Sequence, residues 1–243
     1  MLALEGVTKR YGEVRALDGL TLEVSRGELF GLVGPDGAGK TTSLRLWCGL
    51  LTPDGGRVLV NGRNPRTERR ATTAAMGYVS QRFSLYTDLS IDENIAFFAR
   101  LHGVSAFAAF RDELLEMTGL TAFRTRLAGQ LSGGMKQKLA LACTLIHRPD
   151  ILILDEPTTG VDPVARREFR ALIRELTDGG MTTVLATPYM DEAATCDRVG
   201  LLRSGRLLAC GTPAELTTDR ASATGHIPTL EDVFIELATG GTV

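Results

Sequence analysis

The run Gly34-Pro35-Asp36-Gly37-Ala38-Gly39-Lys40-Thr41-Thr42 satisfies the pattern G-x-x-x-x-G-K-[ST], with an apolar strand before it and an amphipathic helix after it. Its glycines let the backbone wrap closely around phosphate and aim N–H groups inward, and the helix start adds partial positive charge. Lys40 is then placed to bridge a β- and a γ-phosphate, and the Thr41 hydroxyl to ligate Mg²⁺. A second reactive element is Ile151-Leu152-Ile153-Leu154-Asp155-Glu156-Pro157, an apolar run that ends on two carboxylates. Asp155 stands where a carboxylate can reach a metal at the loop, through water. Glu156 follows it at once and points elsewhere. Between the two lies Leu131-Ser132-Gly133-Gly134-Met135-Lys136-Gln137. Ser132 reads as a helix cap, and the exposed N–H groups behind it make a second anion-binding helix start. One chain does not need two γ-phosphate sites.

These groups need elements to position them. Up to about residue 62, short β-prone runs (Val14–Leu17, Leu20–Val24, Leu29–Val33, Val58–Val60) alternate with turn signals at Gly12, Asp18-Gly19, Arg26-Gly27 and Asp54-Gly55-Gly56. Behind the phosphate loop, Leu44, Trp47, Cys48 and Leu51 follow helical spacing. Tyr78-Val79-Ser80-Gln81 reads as a strand. Ser90 and Glu93 form a capping box that opens a helix through Ile95, Phe97, Phe98 and Leu101. Further helical runs cover Ala106 to Met117 and begin after Ser132, so a helical insert of about 87–137 interrupts the α/β pattern. Ile151 to Leu154 and Thr182 to Thr187 read as buried parallel strands. Asp162-Pro163 caps a helix to about Leu176 that Gly179-Gly180 stops. Val199–Leu202 and Arg206–Cys210 form a hairpin around Ser204-Gly205, and Thr212 to Glu215 opens another helix. The expected fold is α/β, organised as one domain over residues 1–243.

At 243 residues, with 44% hydrophobic and 23% charged residues, the chain has ordinary globular composition. A formal net charge of -2 supplies no basic field for nucleic acid or anionic lipid, and the basic patch of Arg63, Arg66, Arg69 and Arg70 reads as a solvated face. Cys48, Cys143, Cys196 and Cys210 show no metal spacing; Cys48 and Cys143 read as small core hydrophobes. No signal peptide is visible, and no apolar run approaches the roughly 18 residues of a membrane span. The expectation is a cytosolic chain whose membrane work comes through a partner.

The phosphate loop, the Ser-Gly-Gly element and the acidic strand end together resemble the nucleotide-binding subunit of an ATP-binding cassette (ABC) transporter, from about Leu4 to about Leu237. The resemblance implies a P-loop NTPase core of RecA-like type, with an antiparallel β subdomain and the helical insert. It implies ATP and Mg²⁺ as cofactors and ATP hydrolysis as the activity. Glu156 matches the family's general base, and Gln81 the Q-loop glutamine that touches metal or water and senses the membrane partner. Tyr11 matches the aromatic that stacks on adenine. Family cassettes pair head to tail, the Ser132-Gly133-Gly134 signature of each closing on ATP held by the other, and Asp162 matches the D-loop that crosses that interface. The implied partners are a second cassette, identical or not, and membrane-spanning permease subunits, with the chain peripheral on the inner face of the cell membrane; the segment Phe83, Leu85, Tyr86 suits a docking groove for the permease.

The chain departs from the family after Thr187. The switch histidine that contacts the γ-phosphate is replaced by Pro188, and His102, His147 and His226 lie elsewhere in the sequence, read as packing or surface residues. Proline offers neither a side-chain hydrogen bond nor a backbone N–H. Gly34-Pro35-Asp36-Gly37 and Pro228-Thr229-Leu230-Glu231-Asp232-Val233-Phe234 resemble the drug-resistance subunits that serve ABC-2 exporters, and the altered switch resembles the first cassette of tandem members. Three readings follow: the ATP-driven motor of an exporter, a low-turnover module that completes a partner's site, and a soluble ABC protein acting on ribosomes or DNA. The last usually carries paired cassettes or coiled-coil insertions, and neither is visible here.

Overall fold

In the second half of one N-terminal strand, Leu20, Leu22 and Val24 turn inward while Thr21 and Glu23 face out, the period-two pattern of a sheet with one covered face. The computed structural model describes residues 1–81, 84–218 and 228–239. In chain order the first elements are β1 (Leu2–Tyr11), β2 (Val14–Val24), β3 (Leu29–Val33), α1 (Lys40–Trp47), β4 (Gly55–Val60), α2 (Arg69–Ala74) and β5 (Met76–Val79). Helices α3 (Ile91–Leu101), α4 (Ala108–Thr118) and α5 (Gly133–Leu145) follow, then β6 (Ile151–Asp155) and α6 (Pro163–Asp178). The rest is β7 (Thr182–Thr187), α7 (Met190–Ala193), β8 (Arg198–Arg203), β9 (Arg206–Gly211), α8 (Pro213–Thr218) and α9 (Leu230–Thr239).

The chain divides into two compact units, one of Met1–Thr73 with Thr182–Val243, the other of Ala74–Met181. In the first, β2-β1-β4 form an antiparallel sheet. A second sheet runs β7-β3-β8-β9, parallel except for the β8-β9 hairpin. Every residue of β3 and of β7 is buried, as strands covered on both faces require. Trp47 of α1 is fully buried, and its indole N–H donates to the Ala3 carbonyl at 3.2 Å, so the helix behind the phosphate loop is anchored through that carbonyl to β1. In the second unit β5 and β6 pair in parallel, accompanied by α3, α4, α5 and α6, so the expected helical insert lies within this unit.

Most expected caps and turns form. Ser90 Oγ accepts from the Glu93 N–H and the Glu93 carboxylate accepts from the Ser90 N–H. Asp162 accepts from Val164 and Ala165 ahead of Pro163. Asp18-Gly19 does not end a strand: it lies inside β2, where Gly19 takes φ +69° and the pairing register with β1 shifts, so the turn signal marks a bulge. Cys143 is buried as expected, whereas Cys48 at the end of α1 is only half-buried. The four arginines of the basic patch are exposed. Phe83 and His226 lie outside the described residues.

Candidate functional site

The phosphate loop connects β3 to α1, and its glycines are demanded by its own surroundings. A Cβ on Gly34 would lie 2.1 Å from the Leu202 carbonyl oxygen. Gly39 takes φ +109°, and a Cβ there would lie 2.7 Å from the Ala16 carbonyl oxygen. Gly37 also takes a positive φ. Pro35, Asp36 and Gly37 are exposed while Gly34, Ala38, Gly39 and Lys40 are buried. The Lys40 ammonium donates to the Gly34 carbonyl at 2.6 Å and the Pro35 carbonyl at 3.1 Å. The lysine is therefore folded over its own loop. The turn of the β8-β9 hairpin supports the loop, with the Gly205 N–H donating to the Ala38 carbonyl at 2.9 Å. Thr41 and Thr42 follow in the first turn of α1, both half-buried. Tyr11 at the end of β1 is 46% exposed, its ring presented to solvent with the Lys9 ammonium 5.8 Å from the centroid.

Val33 pairs with Thr187, so Pro188 leaves β7 at the edge where Gly34 leaves β3. The Thr187 hydroxyl donates to the buried Glu192 carboxylate at 2.7 Å and accepts from the Tyr189 N–H at 3.1 Å. The backbone on either side of Pro188 is thus held by a buried Thr-Glu pair. His102 and His147 belong to the second unit, where they stack on each other at 3.9 Å, and burial pushes both imidazoles below their usual pKa.

In the second unit, β5 and β6 run in parallel with Val79 opposite Leu154, which brings the residues after each strand abreast. The Tyr78 hydroxyl donates to Asp155 at 2.9 Å, and the Gln81 amide donates to Glu156 at 3.3 Å. Both carboxylates are buried. Glu156 takes φ +51°, a left-handed conformation that costs a non-glycine residue about 1–3 kcal/mol. The next residue's carbonyl, that of Pro157, accepts from the buried Gln137 amide at 2.7 Å.

Ser132 and Gly133, at the head of α5, are exposed. Ser132 caps the helix by accepting from the Met135 N–H at 3.3 Å. The two signature glycines differ. A Cβ on Gly134 would lie 2.7 Å from Ala165 Cβ of α6, whereas a Cβ on Gly133 would meet nothing within 4 Å. Asp162, exposed, caps α6.

The structure thus groups Gln81, Asp155 and Glu156 in one unit and gathers Lys40 with its loop in the other. Sequence reasoning missed Tyr78, Gln137 and the Thr187–Glu192 pair. The sequence placed Tyr78 only within a strand; its bond to Asp155 depends on a register that spacing does not reveal. The chemistry of the sites fits nucleotide and metal. In the second unit Gln81 and Asp155 offer oxygens of the kind a hard Mg²⁺ ion prefers, and in the first Thr41 offers a hydroxyl oxygen while the loop and Lys40 suit phosphate.

The comparisons with known proteins agree with that chemistry. Residues 17–159 match the profile of the family described as ABC transporter. The probable multidrug ABC transporter ATP-binding protein YbhF of Escherichia coli (strain K12) is 42% identical over 95% of this chain, but the chain spans only 40% of that relative's length. The daunorubicin resistance ATP-binding protein DrrA3 of Streptomyces coeruleorubidus is 42% identical over 90% of this chain and 70% of its own. A solved ATP-binding subunit of an ABC transporter superposes with a TM-score of 0.84 at 27% identity, covering 98% of this chain and 99% of that one. A dimeric ATP-binding cassette in a post-hydrolysis state with ADP and Pi gives a TM-score of 0.78 at 28% identity, over 87% of this chain and 98% of that one. With the phosphate loop, the paired carboxylates and the capped Ser-Gly-Gly helix all present, the chain belongs to the ABC transporter family, as one of its ATP-binding cassettes.

Proposed function

We propose that this cassette binds Mg-ATP, pairs with a second cassette around shared nucleotide, and hydrolyses it to drive an ABC-2 type exporter. The observation that carries the hydrolytic part is Glu156: a buried carboxylate in a costly backbone conformation, hydrogen-bonded by Gln81 at the end of an apolar strand. Glu156 acts as general base toward the attacking water. Gln81 orients it and contributes to the metal shell. Asp155 and Thr41 would supply oxygens to Mg²⁺, Lys40 and the loop N–H groups of residues 36–42 would hold the phosphates, and Tyr11 offers its exposed ring to adenine. When bound, the metal would supply charge neutralisation for the phosphate oxygens.

The pairing rests on the open space at Gly133. Nothing packed against it among the described residues requires glycine there. A phosphate of a second cassette's nucleotide, approaching the N–H groups at the head of α5, does. Ser132 and Asp162 stand exposed for the same interface. Export follows from the drug-resistance relatives, with permease subunits supplying the path. The cassette then works at the inner face of the membrane. A pocket of about 50 Å³ lined by residues that include Tyr78, Leu85 and Phe98, with exposed Tyr86 close by in sequence, supports docking of the permease.

Pro188 favours a second reading, in which this chain's own site turns over slowly and its signature completes a partner's site. Loss of one charge-positioning group typically costs about 10²–10³ in rate. Turnover of wild type, Glu156→Gln and Pro188→His separates the two. The motor reading expects wild-type hydrolysis that Glu156→Gln cuts to a small residual rate. The second expects wild type to bind Mg-ATP with little hydrolysis and Pro188→His to raise it. The Thr187–Glu192 pair limits how far the backbone can relax to deliver an imidazole.

A further inference from the structure

We propose that Gln137 is a positioning residue for Glu156, tying the general base to the helix headed by Ser132. This rests on the reading of Glu156 as base and adds what holds it. Gln137 is fully buried, its Nε2 donates to the Pro157 carbonyl at 2.7 Å, and its Oε1 accepts from no described residue. Burying an amide with its oxygen unpaired costs about 1–3 kcal/mol. A methionine of the same length would pack there without that cost. The one bond the amide makes is therefore what distinguishes glutamine from an apolar residue at this position, and that bond ends at the peptide following Glu156.

The turn it grips is itself strained. Glu156 has φ +51°, and Pro157 further restricts the backbone of the residue before it. A conformation of that kind persists only where its neighbours over-determine it. Gln81 holds the Glu156 side chain, and Gln137 holds the main chain just beyond. The head of α5 is meanwhile fixed against α6 by the Gly134–Ala165 contact and by the Lys138–Glu168 ion pair at 2.7 Å. Ser132 and Pro157 are thus joined through one helix and one buried hydrogen bond.

The test is steady-state Mg-ATP hydrolysis by the chain carrying Gln137→Met, alone and combined with Glu156→Gln. The expected result is a kcat lowered about tenfold with KM and ATP affinity unchanged. In the Glu156→Gln background, Gln137→Met should cause no further loss, because its effect passes through the carboxylate. An unchanged kcat, or an equal loss in both backgrounds, overturns the proposal. Wild-type-like turnover by Glu156→Gln overturns the base assignment instead, and the proposal with it. Gln137→Glu gives a second readout. Its carboxylate cannot donate to the Pro157 carbonyl, but its protonated form can, so its turnover relative to wild type should recover as pH falls. A ratio that does not change with pH counts against the hydrogen bond.

Discussion

The heads of α1 and α5 are both glycine-rich helix starts, and they are built to opposite ends. At α1, Gly34 and Gly39 are crowded by backbone from β8 and β2, Lys40 is sealed over its own loop carbonyls, and the turn of the β8-β9 hairpin braces Ala38. This start is complete within the chain. At α5, Ser132 and Gly133 are exposed, and only Gly134 is used for internal packing. The first start is closed over by its own chain; the second leaves Ser132 and Gly133 exposed. That difference is what a site shared between two molecules requires, since one half must hold the nucleotide and the other must come to it.

Four substitutions and one matched control test this contrast. Gly34→Ala forces a Cβ against the Leu202 main chain, which cannot give way as a flexible side chain would. Urea denaturation should show a loss of about 3 kcal/mol or more, in the range of severe core overpacking. Near-wild-type stability would mean that the loop is looser than its contacts indicate. Ser132→Arg should leave ATP binding by the single chain intact yet abolish ATP-dependent association in a Glu156→Gln background, followed by light scattering. Retained association would place the interface elsewhere. Lys40→Ala removes a charge-assisted contact to phosphate, so ATP affinity measured by fluorescence titration should fall at least about tenfold. Equal binding by variant and wild type would remove the loop from the nucleotide site.

Much of this was legible in the sequence because it depends on neighbours along the chain. The Ser90/Glu93 box, the Asp162-Pro163 cap and the Ser204-Gly205 hairpin are local hydrogen-bonding choices, and each formed where the residues said. The phosphate loop is readable for the same reason. What the sequence hid depends on register and on distant neighbours. Asp18-Gly19 spells a turn, but the pairing of β1 across it turns it into a bulge. Tyr78 meets Asp155, and Gln137 meets Pro157, only because β5, β6 and α5 pack as they do. Gly133 and Gly134 are the same letter twice, and nothing in the string separates the packed one from the open one.

Gly133→Ala exploits that last distinction and carries the smallest effect. Alanine loses less conformational entropy on folding than glycine, and at Gly133 its Cβ meets nothing within 4 Å, with no positive φ to oppose it. The variant should therefore be more stable than wild type, by up to about 1 kcal/mol in urea denaturation. Gly134→Ala, the matched control, pushes a Cβ against Ala165 and should be less stable. Function should run against stability. The stabilised Gly133→Ala cassette should associate more weakly on ATP, because the added methyl stands where a second cassette's nucleotide approaches the head of α5. A Gly133→Ala variant that is both more stable and equally able to associate would show that the open space has no ligand to serve. A less stable one would show that the chain itself needs the glycine, and the contrast between the two helix heads would fall.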